Sequence, residues 1–159
     1  MSLLRRGKIL LSLDLKAILV FFEAWIFLGW ARFILIFLPF QNVALRLGDY
    51  MMESTGETDS SIIKSQRIIH QSIRIMSKYT FWESKCFVQA IAGMKMLERR
   101  NIDATLYLGT ANDVESKKMI AHAWLRSGPY YITGWEGAQR FTVVAKFASI
   151  SRKNKRRRK

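Results

Sequence analysis

From Ala17 to Leu38 the chain is almost wholly apolar, interrupted by Glu23 and Arg32. At about 1.5 Å per residue, a helix of that length approaches the thickness of a bilayer's hydrocarbon core. Whatever the chain folds into must bury this surface or offer it to lipid. The two charges argue against a simple span, because they lie nine residues apart. At about 100° per residue they fall on opposite sides of a helix, leaving neither a single polar stripe nor a clean lipid face. A signal peptide is disfavoured as well, since no small-residue cleavage site follows and Arg32 breaks the stretch. The reading is a pair of hydrophobic helices, bent apart at Gly29 and packed on a core, with membrane-surface contact as the alternative.

A further helix is predicted over residues 60–78, where Ile62, Gln66, Ile69, Ile73 and Met76 recur at spacings of four and three. The preceding stretch, rich in Ser, Thr, Gly and acids, is a loop, and Asp59 or Ser60 caps the helix. His70 sits beside the stripe and reads as a surface or packing residue.

Cys86 is the only cysteine. A lone thiol makes no internal disulfide and no several-cysteine zinc site, so it is either an inert core residue or a reactive one. Phe87, Val88, Ile91, Met94 and Leu97 share one face of a predicted helix that starts at a Ser84 cap and stops near Arg100 and Asn101. Cys86 then lies in the first turn. Free backbone N–H groups, the positive end of the helix dipole and Lys85 all favour a thiolate there. A thiol of reference pKa about 8.5 needs such help, and a base, to act at neutral pH.

Strands are predicted at residues 104–108, from about Met119 to Arg126, at Tyr130 to Thr133 and at Phe141 to Phe147. Gly109, Asn112 and Asp113 mark a loop, and Ser127-Gly128-Pro129 a turn. In the second strand Ile120, His122 and Trp124 share one face and Ala121, Ala123 and Leu125 the other. The fold class is therefore α+β: amino-terminal hydrophobic helices packed on a core in which a helix carries the Cys and an antiparallel sheet carries the His. Residues 1–80 form the hydrophobic helical region, 81–148 the core that carries Cys and His, and 149–159 a basic tail expected to be disordered.

The formal charge is +14, and Arg152, Lys153, Lys155, Arg156, Arg157, Arg158 and Lys159 supply half of it. Such a tail is a solvated end or a contact for anionic lipid. No nucleic-acid-binding signature accompanies it, so no nucleic-acid partner is expected. Walker loops, dinucleotide fingerprints and metal-ligand clusters are absent from the sequence, so neither a cofactor nor a metal is expected.

The run Trp82-Glu83-Ser84-Lys85-Cys86-Phe87-Val88-Gln89-Ala90, the segment Leu97 to Ala104, and Ala121-His122-Ala123-Trp124-Leu125 resemble the leader peptidases of lasso peptide biosynthesis. So do Thr133-Gly134-Trp135-Glu136-Gly137, Arg140 to Ala145 and the apolar first half. These are bacterial proteins with a papain-like or transglutaminase-like cysteine peptidase core. The resemblance implies removal of the leader from a ribosomally synthesised precursor peptide before a partner cyclase closes the macrolactam. It makes Cys86 the nucleophile and His122 its base. An Asp commonly follows the histidine in that family, but none occurs here after Asp113. Glu136 is the candidate third member and Thr133 the alternative; a backbone carbonyl, or a dyad without a third side chain, fits equally. Oxyanion donors would be the Cys86 N–H with Gln89 or Gln71. The resemblance also implies a separate leader-recognition protein and a place in the bacterial cytoplasm, with contact at the inner face of the membrane as the alternative that the apolar stretch and basic tail leave open. The competing functions are a transglutaminase-like acyltransferase, which shares the thioester, and a non-enzymatic, membrane-associated peptide-binding protein with an incidental thiol.

Overall fold

The apolar run forms one uninterrupted helix, α1 (Leu15–Phe37), and not two helices with a bend. Gly29 lies inside it and does not break it. The Trp82 indole packs where a side chain would stand, its Cζ2 only 3.1 Å from the position a Cβ would take. After Pro39 there follows only a five-residue helix, α2 (Phe40–Ala44). The structure, a computed structural model, describes residues 15–55, 59–114, 117–151 and 154. The seven cations of the tail lie outside these residues, although Asp103 holds its start by accepting from the Ser151 N–H and the Asn154 amide, both at 2.7 Å.

Two longer helices lie beneath α1. In α3 (Ser60–Met76), Asp59 caps the first turn by accepting from the Ser61 N–H, and Ile69 and Ile73 are buried. In α4 (Cys86–Glu98) most residues from Val88 to Leu97 are buried. Gly93 sits mid-helix because a Cβ there would come within 3.0 Å of Leu125 and meet Ile73, so α4 presses close to both neighbours.

The sheet contains β1 (Asp49–Tyr50), β2 (Ala104–Asn112), β3 (Met119–Ser127), β4 (Tyr130–Thr133) and β5 (Thr142–Ser149) in the order β1-β5-β2-β3-β4. Every pairing is antiparallel. β2 runs through Gly109, where a loop was expected. A Cβ at Gly109 would stand 2.9 Å from Trp124 and Phe141, so the glycine makes room for aromatic rings and does not end the strand. Alternation divides the sheet into two faces. Leu106, Ala123 and Leu125 join the helices in one apolar cluster that also takes in Ala24, Leu28 and Ala31 of α1. Tyr107 and Trp124 form a smaller cluster with Ala138 on the far face. The result is a three-layer α+β arrangement in which α1 covers α3 and α4, and these cover the sheet.

The two charges that interrupt the apolar run, Glu23 and Arg32, are both used inside the protein. Glu23 binds Arg99 at 3.1 Å and Arg100 at 2.6 Å, and Arg32 meets Glu83 at 3.4 Å. Lying on opposite sides of the helix, they tie it to the end of α4 and to the loop that precedes α4.

Candidate active site

Cys86 is the first residue of α4, and its thiol is half-buried. The capping position belongs to Lys85, not Ser84, and no side chain caps the helix. Ser84 is otherwise engaged, its hydroxyl bonded to Thr80 at 2.9 Å and its carbonyl accepting from the Gln89 side chain at 2.7 Å. The first-turn N–H groups are therefore available around the thiol. Lys85 adds less than its proximity implies: its ammonium binds Glu83 at 2.6 Å. That hydrogen bond, with the Lys85 charge, holds the Glu83 carboxyl below its ordinary value. Gln89, a candidate oxyanion donor, spends its amide on Ser84, and Gln71 lines a different hollow.

Cys86, Gln89 and His122 open on one cleft of about 670 Å³, a volume typical of ligand sites. His122 stands on β3 opposite Gly109, with the Phe141 ring 5.0 Å and the Trp124 ring 6.0 Å away. Its Nε2 lies 2.7 Å from the carbonyl oxygen of Gly134. A carbonyl can only accept, so Nε2 carries the proton and the neutral ring keeps its lone pair on Nδ1. The contact depends on Gly134 itself. Its φ is +72°, and a Cβ there would lie 2.3 Å from the Ala123 carbonyl oxygen. Only glycine lets this loop come so close to β3.

The imidazole is thus oriented by a backbone carbonyl. Neither Glu136 nor Thr133 is bonded to it: Glu136 is exposed on the cleft rim, and the Thr133 hydroxyl is buried without a hydrogen-bond partner. Among the described residues no hydrogen bond joins Cys86 to His122, although thiol and ring line the same cleft.

The third wall, from α3, was not foreseen as part of the site. His70, Arg74 and Lys78, spaced four apart, line the same cleft with Ser77. His70 Nδ1 lies 2.8 Å from the Ile132 carbonyl, leaving Nε2 as its free ring atom. No ion pair to Arg74 or Lys78 occurs among the described residues, whereas Arg99, Arg100 and Arg126 each have a carboxylate partner. The i, i+4, i+8 spacing was visible in the sequence, but nothing there linked it to Cys86. Among the described residues, no group of three or more His, Cys, Asp or Glu side chains could hold a metal ion.

A family model described as the transglutaminase-like superfamily matches residues 33–146, most of the chain, spanning Cys86 and His122. The chain belongs to the transglutaminase-like superfamily. Members of this superfamily are generally cysteine-dependent enzymes that cleave or transfer acyl groups. No curated protein and no solved structure matches the chain.

Proposed function

We propose that this transglutaminase-like protein is a cysteine peptidase that removes the leader from a ribosomally synthesised lasso precursor peptide, before a partner cyclase closes the macrolactam. The observation that carries the chemistry is Cys86 at the uncapped start of α4, sharing a cleft with an imidazole whose Nε2 is held by Gly134. Support for the substrate is the resemblance of the segments around Trp82, Leu97, His122 and Gly134 to lasso leader peptidases. The precursor peptide, a separate leader-recognition protein and the cyclase are the partners this reading requires.

In the reaction, Nδ1 of His122 takes the Cys86 proton and the sulfur attacks the scissile carbonyl. The oxyanion faces the first-turn N–H groups of α4. Collapse breaks the C–N bond, and the imidazolium returns its proton to the departing amine. Water, deprotonated by His122, then attacks the thioester, giving the leader carboxylate and the free thiol. The Gly134 carbonyl keeps the ring in the working tautomer, the task a side-chain acid performs in a triad. Bound substrate must bring ring and thiol into contact, since catalytic hydrogen bonds are often long before substrate arrives.

The test is incubation with the precursor and its recognition partner, read by mass spectrometry. The wild-type protein releases leader and core, and Cys86→Ala releases neither. Superfamily membership also favours acyl transfer, so the assay is run with an added primary amine. An amide-linked leader would make the protein a transferase, and unchanged activity in Cys86→Ala would make the thiol incidental.

A further inference from the structure

The outer face of α1 is an apolar surface that the fold leaves uncovered. Ala24, Leu28, Ala31 and Ile34 are buried against the protein. On the other side Leu15, Leu19, Phe22, Ile26, Phe33 and Phe37 form a stripe at helical spacing, each between 47% and 70% exposed. A helix apolar on both sides has a second apolar neighbour. α1 is long and apolar enough to cross a membrane by length and composition. Yet crossing would strip its inner face from α3 and α4 and separate Glu23 from Arg99 and Arg100, and Arg32 from Glu83. The helix therefore meets its second neighbour side-on.

Charge selects among the candidates. A groove of about 320 Å³ runs beside the stripe, walled by Leu19, Phe22, Ile26 and Phe27, with Arg99 and Arg100 at its edge. Glu23, the only acid in α1, is shared by the two arginines, leaving one positive charge in excess over an apolar slot. Arg99 is 67% exposed. An apolar channel edged by an exposed guanidinium fits an acyl chain beneath a phosphate headgroup. The chain's charge of +14 draws it to the same kind of surface.

We propose that α1 seats the protein on an anionic phospholipid bilayer, lying in the plane of the interface with its outer stripe among the acyl chains and Arg99 at the headgroups. The assignment does not depend on the peptidase reading.

The test is cosedimentation of the full chain with vesicles of phosphatidylglycerol and phosphatidylcholine, against phosphatidylcholine alone. The wild-type protein binds the anionic vesicles. The double variant Phe22→Gln/Phe33→Gln binds them roughly tenfold more weakly, because apolar burial is lost. Arg99→Gln weakens only the lipid-charge-dependent part. Unchanged circular dichroism of each variant shows that the loss is not unfolding. Three results would overturn the proposal. One is full binding by the double variant with loss on truncation after Ser151, which assigns the contact to the tail. Another is a wild-type dimer that the double variant converts to monomer without vesicle binding, which makes the stripe a self-interface. The last is no vesicle binding by the wild-type protein at any composition.

Discussion

On the sheet side of the cleft, His122 is held from behind: Nε2 bonds Gly134, the ring sits among Phe141 and Trp124, and Nδ1 is left free. On the α3 side, His70 is held in the opposite sense, by Nδ1 on Ile132, and Arg74 and Lys78 extend its row toward solvent. Both rings hang from the same short stretch of backbone, residues 132–134, yet they offer opposite nitrogens. A wall built for proton transfer needs one fixed lone pair in a sheltered place. A wall built for holding a ligand needs several donors and net charge. The sheet wall has the first character and the α3 wall the second.

The sharpest way to break that division is to remove each ring in turn. His122→Ala should lower kcat by about 10²–10⁴-fold, the usual worth of a general base. His70→Ala should raise KM and leave kcat within about tenfold. Steady-state kinetics on the leader-containing precursor decide it, and a reversed pattern would exchange the roles of the walls.

Next in size is Gly134→Ala, which puts a methyl group against the Ala123 carbonyl at positive φ. It should cost about 1–3 kcal/mol in thermal or denaturant unfolding. It should also depress kcat more than KM, because the carbonyl that orients His122 is displaced directly, whereas His70 is held two residues away by Ile132.

A pH experiment loads the sheet wall alone. Behind Trp124 lies Tyr107, whose hydroxyl donates to Glu53 and accepts from Arg126 at 3.0 Å. Burial and the Glu53 bond push the Tyr107 phenol up to about 12, from an ordinary value near 10. A raised phenol stabilises the fold fully below about pH 10 and loses that contribution as pH rises through about 12. Tyr107→Phe should flatten the stability profile over this alkaline window, followed by unfolding and by tyrosinate absorbance.

The smallest effects test the acid and hydroxyl singled out in the sequence. Glu136→Gln should change turnover by no more than about twofold, as for an exposed side chain without a structural partner. Thr133→Val removes a buried hydroxyl that has no partner and should leave stability equal or higher by up to about 1 kcal/mol. A severe loss of turnover in Glu136→Gln would mean that substrate draws this carboxylate onto His122.

These contrasts mark what a sequence can disclose. The helix start at Cys86 and the strand at His122 were legible, because helical and strand periodicities and turn residues are written in side chains. The anchor of His122 was not, since a carbonyl belongs to every residue and only folding selects the one at Gly134. His70 read as a packing residue because no motif in the sequence joins it to the thiol, and only tertiary packing brings the two to one cleft. Gly29 and Gly109 read as breaks for a related reason. Glycine letters do not reveal whether a missing side chain serves a bend or an incoming indole, and here Trp82 and Trp124 supply the answer.

The ties that fasten α1 also set an order of events during synthesis. Glu23 leaves the ribosome 77 residues ahead of Arg100, its firmest partner. Until α4 arrives, both sides of a 23-residue apolar helix stand exposed in the nascent chain. Contacts so distant in sequence close slowly, and aggregation competes in the interval. The yield of folded protein should therefore depend on whatever shelters α1 during translation, so that chaperone or lipid supply governs expression more than the chemistry of Cys86 does.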